Sequence, residues 1–208
     1  MIASNNILYS FRRCPYAIRT RMALSYSNIH YEHREILLKD KPQSMLDFSS
    51  KGTVPVLVIK DFVIDESLDV MLWALKKQDS EDWMLKQTRI SEDEILDWIN
   101  KCDLQFKPIL DQYKYSDRHP LSENQYREQS LWFLESLESQ LKSHKFLLSE
   151  KISLADVAIF PFIRQYAFVN KSWFDTNEYV HLQNWLNHWL NSPLFQSVMK
   201  KLPLWIEK

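Results

Sequence analysis

A small mixed α/β domain followed by an all-helical domain is the fold this sequence predicts, on three observations. Through residue 78, short apolar runs of strand length alternate with stretches of helical spacing. From residue 92 onward the apolar residues recur only at three- and four-residue intervals. Residues 79–91, between the two, are largely polar and read as a linker. The expected domains are therefore 1–78 and 92–208.

In the first domain, ILY (7–9) reads as a short buried strand. PYAIRTRMALSYS (15–27) reads as a helix with Pro15 at its first position, where a missing N–H costs nothing. Asn28 then serves as a left-handed cap in place of glycine. HYEHREI (30–36) is a second strand, and VPVLVIKDFVID (54–65) is a hairpin turning near Lys60 and Asp61. SLDVMLWALKKQ (67–78) is an amphipathic helix opening on Ser67. The order is β-α-β, a variable segment, then β-β-α.

In the second domain, Ile95, Trp98, Ile99, Cys102, Phe106, Ile109, Leu110 and Tyr113 keep helical register. Ser122 with Gln125 forms a capping box ahead of helix 123–142. Ser153 with Asp156 forms another ahead of helix 154–169, which Pro161 should kink. Tyr179, Leu182, Trp185, Leu186 and Trp189 mark a further helix, and Ser192-Pro193 starts a last short one.

Composition excludes several function classes. The net charge of -1 comes from 26 basic and 27 acidic residues with no long run of either sign, so no nucleic-acid partner is expected. The longest notable apolar run, VAIFPFI (157–163), is too short to span a bilayer, so no membrane partner is expected. The start, MIASNNILYS, lacks the basic head and apolar run of a signal peptide, which points to the cytoplasm. There the two cysteines, Cys14 and Cys102, would both be reduced thiols. The single glycine, Gly52, rules out glycine-rich phosphate loops. The six histidines show no metal-ligand spacing with cysteine, so no metal is expected.

Four features of the first domain converge on one chemistry. Cys14-Pro15-Tyr16-Ala17 lies between a strand and a helix start, where unpaired N–H groups stabilise a thiolate; Arg12 and Arg13 add positive potential. Val54-Pro55 precedes a strand, and a cis bond there would offer the Val54 backbone to an extended peptide ligand. Asp65-Glu66-Ser67 stands at another helix start. With Ser67 as N-cap it would hold a carboxylate, and Glu66 an ammonium. Lys41, before Pro42, would hold a second carboxylate. Each alone has an ordinary structural reading. Together they describe a ligand with two carboxylates, one ammonium and a sulfur between them, which is the shape of glutathione.

On CPYAIRTRMAL (14–24), KDKP (39–42), GTVPVL (52–57), DES (65–67) and SLADVAIFPF (153–162), the sequence resembles a cytosolic glutathione transferase of the omega-like, cysteine-type group. The resemblance runs over essentially the whole chain. It implies a thioredoxin-like N-terminal domain followed by an all-α C-terminal domain, and a homodimer. It also implies a mixed disulfide between Cys14 and glutathione. Val54 would pair with the cysteinyl backbone, Glu66 and Ser67 with the γ-glutamyl end, and Lys41 with the glycyl carboxylate. Ser153 and Asp156 would serve folding rather than catalysis. Glutaredoxins resemble the same site but often carry a second cysteine where this chain has Ala17, so a dithiol cycle is unavailable here. Tyr9, Ser10 and Tyr16 leave open a hydroxyl-based route.

Cys102, in register with Ile95, Ile99 and Phe106, reads as core. Phe11, Tyr113 and Phe168 are candidates for an acceptor pocket between the domains. The leading function is glutathione-dependent thiol transfer or reduction, acting on mixed disulfides, dehydroascorbate or similar oxidants. The alternatives are conjugation of glutathione to electrophiles and a non-catalytic interaction module.

Overall fold

The structure, a computed structural model, describes residues 6–60 and 62–207. Asp61, expected at the hairpin turn, and residues 1–5 of the start lie outside the described residues. The described chain forms two units. One runs to Ser80 and resumes at Ser192; the other is Glu81–Asn191.

The first unit is built on a four-stranded sheet in the order β2-β1-β3-β4. Its strands are β1 (Ile7–Ser10), β2 (Glu32–Glu35), β3 (Val56–Ile59) and β4 (Phe62–Ile64). β1 runs parallel to β2 and antiparallel to β3, and β3 is antiparallel to β4. Strand periodicity sorts the side chains. Tyr9, Val56 and Val58 join Ile36, Met45 and Val54 in one buried cluster, with Trp205 packed against it. Leu8 and Leu57, directly opposite one another across β1 and β3, are both fully buried.

Three helices carry the rest of this unit up to Ser80: α1 (Pro15–Tyr26), α2 (Gln43–Phe48) and α3 (Ser67–Lys77). Pro15 occupies the first turn of α1, and Asn28 takes the left-handed conformation with φ 52°. α1 is buried from Ala17 to Leu24, including Arg19 and Arg21. Burying a guanidinium costs several kcal/mol (on the order of 5) unless it is paired, so the partners of these two arginines matter for the site. α3 alternates its faces, with Val70, Met71, Ala74 and Leu75 buried, Asp69 in the first turn and Lys76 and Lys77 in the last.

Helix α2 falls in the segment that the sequence left variable. None of its own side chains caps it. Its first N–H groups, from Gln43 and Ser44, donate instead to the carboxylate of Glu207, at 2.8 and 2.9 Å. The same C-terminal stretch lays Trp205 edge-on to Tyr9, with the Arg34 guanidinium 4.2 Å from the indole centroid. The Trp205 N–H donates to the Glu35 carbonyl at 2.8 Å. A last helix of the chain, Pro193–Val198, packs on α1. Residues from 192 on thus fold with the sheet, although their periodicity matches that of the helical part. These contacts join partners far apart in sequence, which periodicity cannot register.

In the second unit, the part of the expected linker from residue 81 on is anchored rather than loose. Trp83, Met84 and Leu85 are buried, and the Trp83 carbonyl accepts from the N–H of Leu154 at 2.7 Å. The helices are α4 (Glu92–Asn100), α5 (Lys107–Lys114), α6 (Glu123–Ser143), α7 (Leu154–Ala167), α8 (Lys171–Thr176) and α9 (Val180–Leu190); the Pro193–Val198 helix is α10. A wider π-helical stretch, Lys101–Phe106, joins α4 to α5, and the Lys107 N–H reaches back to the Cys102 carbonyl. Pro108 explains it: proline lacks the donor for the carbonyl four residues back and crowds it, and a widened turn relieves both. Both capping boxes form, at Ser122–Gln125 and at Ser153–Asp156. Pro161 lies inside α7. Aromatic pairs fill the core, including Phe106 with Phe133 at 4.7 Å and Tyr113 with Tyr166 at 4.9 Å. Among the described residues, no helix is long and apolar enough to cross a membrane.

Candidate active site

Cys14 takes the cap position of α1, with extended backbone (φ -70°, ψ 123°) and its carbonyl accepting from Ile18. A residue there sits beside the first, unpaired N–H groups of the helix, which favour negative charge. The side chain is half-buried, and its thiol lies 3.8 Å from the Val54 carbonyl as donor. The Val54–Pro55 peptide is cis.

The segment 49–54 draws the other candidate groups together. Gly52 has φ +62°, a conformation that side chains other than glycine's rarely adopt. A Cβ there would meet the Lys41 ammonium nitrogen at 3.3 Å. The backbone conformation is what calls for the one glycine of the chain here, and the Lys41 side chain passes beside it. Lys51, next to it, bonds both Asp65 at 3.0 Å and Glu66 at 2.6 Å. Asp65 also accepts from the Ser49 hydroxyl at 2.6 Å. Those bonds, the one from Ser49 foremost and that from Lys51 next, hold the Asp65 carboxyl below its ordinary value.

Ser67 departs from its expected part. It is the first residue of α3, with Glu66 in the cap position, and neither side chain caps the helix. The Ser67 hydroxyl is buried and accepts from the Nε–H of Arg19 at 3.0 Å. An oxygen that accepts from a guanidinium turns its own hydrogen elsewhere, so Ser67 remains available as a donor.

Two arginines near the Cys14 turn take different places. Arg13 is exposed, with its guanidinium over the Phe11 ring at 5.6 Å. Arg21 is buried and donates to the Ser10 hydroxyl and to the carbonyls of Phe11 and Arg12. Burial lowers the Arg21 pKa, while the negative forms of Tyr31, Glu35 and Cys14 support its charge. The sequence reading passed over Arg19, Arg21 and Lys51. The first two sit among Thr20 and Ser25 on α1 and carry no signal in the sequence that sets them apart.

Two of the three hydroxyls near Cys14 in sequence, those of Tyr9 and Ser10, have structural partners. The Tyr9 hydroxyl donates to Ser44 at 2.9 Å and accepts from Arg34 at 2.6 Å. The Ser10 hydroxyl accepts from Arg21 at 2.6 Å. Cys102 is fully buried. Of the acceptor-pocket candidates, Phe11 packs against the buried cluster of the first unit. Tyr113 is 1% exposed inside the second unit. Phe168 is 54% exposed, with Arg164 over its ring. No cluster of three metal-ligating side chains occurs among the described residues.

A mixed sheet in this order, with a thiol at the start of the helix after its first strand, defines a thioredoxin-like domain; an all-α unit follows it. Family models for the N-terminal and C-terminal domains of glutathione S-transferase match residues 8–85 and 126–188. The chain belongs to the glutathione S-transferase family. It is 30% identical to glutathione S-transferase DHAR2 of Arabidopsis thaliana over 71% of this chain and 64% of that one. It is 26% identical to glutathione S-transferase omega-1 of Mus musculus over 95% and 77%. A match to a maleylacetoacetate isomerase of Dictyostelium discoideum, 37% identical, spans 34% of this chain and 35% of that one. The chain thus spans under two thirds of the plant and Dictyostelium relatives it matches. In structure it resembles a glutathione transferase family member from Pseudomonas fluorescens that has two glutathione bound. That likeness has TM-score 0.82 and 16% identity over 96% of this chain and 94% of that one. Glutathione transferase Omega 3C from Trametes versicolor gives TM-score 0.78 at 18% identity over 94% and 84%.

Proposed function

We propose that this protein is a cytoplasmic, glutathione-dependent thiol transferase whose nucleophile is Cys14. The observation that carries the proposal is the half-buried Cys14 thiol at the start of α1, while the hydroxyls of Tyr9 and Ser10 serve other partners. The Cys14 thiolate attacks the glutathionyl sulfur of a mixed disulfide. A Cys14–glutathione disulfide forms and the acceptor leaves as its thiolate. The thiolate of a second glutathione attacks the glutathionyl sulfur of that adduct, releasing glutathione disulfide and restoring the Cys14 thiolate. Ala17 stands where a resolving cysteine would be, so the second glutathione is obligatory. Dehydroascorbate is a further candidate oxidant, since two glutathiones supply the two electrons its reduction takes.

In the binding step, Lys41 takes the glycyl carboxylate, the Val54 backbone pairs with the cysteinyl residue, and the Ser67 hydroxyl donates to the γ-glutamyl carboxylate. Glu66 takes the ligand ammonium, which competes with its present partner, Lys51. Conjugation to electrophiles is the alternative use of the same site. The test is to expose the native protein to glutathione disulfide and map the adduct by peptide mass spectrometry. One glutathione on Cys14, with Cys102 unmodified, is expected. Modification at Cys102 instead, or full disulfide reductase activity in Cys14→Ala, overturns the proposal. Loss of retention on immobilised glutathione would favour an interaction module.

A further inference from the structure

We propose that Arg21 is a positioning residue for the Cys14 reaction, clamping the turn that carries the nucleophile. The inference rests on the assignment of Cys14 above. Arg21 lies two turns along α1 from Cys14, so its side chain returns along the same face of the helix. It is 1% exposed, and its donors converge on the residues that lead into the nucleophile. One terminal nitrogen donates to the Ser10 hydroxyl at 2.6 Å and to the Phe11 carbonyl at 3.4 Å. The other donates to the Arg12 carbonyl at 2.8 Å. Nε donates to the Val198 carbonyl of α10 at 3.1 Å. A rigid planar fork can hold several such acceptors at once; a lysine ammonium on a flexible stem cannot hold the same set. Glu35 completes the brace, since its carboxylate accepts the Arg12 N–H at 2.7 Å.

The charged and titratable groups around Arg21 are Cys14, Glu35, Tyr31 and Arg12. His33 faces the other oxygen of Glu35 at 3.0 Å. The end of α10 contributes the Val198 carbonyl, and Met199 just beyond it contributes its sulfur. Glu35 takes up part of the positive charge of Arg21, which leaves less of it to act on the sulfur. Geometry is therefore the larger contribution of Arg21 and electrostatics the smaller. A misplacement of about 1 Å at a reacting group can cost roughly a hundredfold in rate.

The experiment compares wild type, Arg21→Lys, Arg21→Met and Ser10→Ala, each checked for folding by circular dichroism. Two readouts are taken: kcat and KM for disulfide exchange with glutathione, and the rate of Cys14 alkylation by iodoacetamide against pH. Arg21→Lys keeps the charge and loses the fork. Its kcat should fall about tenfold or more with KM within about twofold, and its alkylation midpoint should stay near wild type. Arg21→Met should show the same loss of kcat and an upward shift of the midpoint as well. Ser10→Ala, which removes one acceptor, should lose kcat by a smaller factor, about threefold. Should both arginine variants fail to fold, Ser10→Ala decides. Wild-type kcat in a folded Arg21→Lys, or in Ser10→Ala when it decides, overturns the proposal. Alkylation needs no glutathione. An alkylation rate that depends on Arg21 in a protein forming no glutathione adduct would support the clamp and overturn the function instead.

Discussion

Replacing Asp156 with alanine should remove a large part of the stability of the second unit, and the structure gives the size of the loss. The carboxylate is fully buried. Oδ1 accepts from the Leu147 N–H and from the Trp185 indole N–H, both at 2.9 Å. Oδ2 accepts from the Ser153 N–H at 2.9 Å and from the Ser153 hydroxyl at 2.6 Å. Burial pushes this carboxyl pKa up against the pull of those four bonds. Alanine strands three buried N–H donors, each worth about 1–3 kcal/mol when left unmade; the Ser153 hydroxyl can rotate to another acceptor. Allowing for relaxation, the loss should be about 4 kcal/mol, a large share of the 5–15 kcal/mol that a typical domain has. Asp156→Asn keeps the shape but turns an amide NH2 toward two of the donors, so about half that loss is expected. Urea titration followed by tryptophan fluorescence measures it as a fall in midpoint at unchanged slope. A loss under about 1 kcal/mol in Asp156→Ala would refute the view that this carboxylate ties α7, α9 and the Leu147 loop together.

Three further outcomes follow from the site. Ser67→Ala removes a donor to a ligand carboxylate and strands the Arg19 Nε–H, so glutathione should bind about tenfold to a hundredfold more weakly by calorimetry; unchanged affinity would displace the γ-glutamyl end from this position. The folded pKa of Asp65 lies below its unfolded value of 3.8, so its stabilising contribution is present above 3.8 and lost as pH falls through the folded value. Lys51→Ala should move the Asp65 midpoint up toward 3.8 in a carboxyl NMR titration, and an unmoved midpoint would leave Ser49 as its effective partner. The protein should form a symmetric homodimer, the commonest closed arrangement, and light scattering that finds only monomer at working concentration would count against it.

How legible these features were depended on how local their causes are. The Pro15 start of α1, the left-handed Asn28 and the two capping boxes are fixed by residues within four positions of one another, and each reads directly from the sequence. Helix α2 was not legible, because its N-terminal N–H groups are satisfied by Glu207, far along the chain. The π-helical stretch was hidden for another reason. Its buried residues Cys102 and Phe106 keep three- and four-residue spacing with Ile99 and Leu110, so the apolar pattern carries straight through it. At the site, Cys14, Val54, Glu66 and Ser67 stand out because their motifs are short and contiguous. Arg19 and Arg21 looked like ordinary polar positions of a helix; their weight comes from burial, which only the packed structure displays.

The return of residues 192–207 to the sheet has a consequence for biosynthesis. A chain leaving the ribosome exposes Cys14, Val54 and Ser67 early, and N-terminal domains generally fold first. Yet the Arg21 bond to Val198, the Trp205 bond to Glu35 and the Glu207 carboxylate on α2 cannot form until the intervening helical unit has been made. During translation the nascent first unit therefore carries Cys14 next to a turn that still lacks the Arg21 bond to Val198. A reporter fused after Ser80 should sense a sheet that has not finished maturing, and the finished environment of Cys14 should arrive only after residues 192–207 have left the exit tunnel.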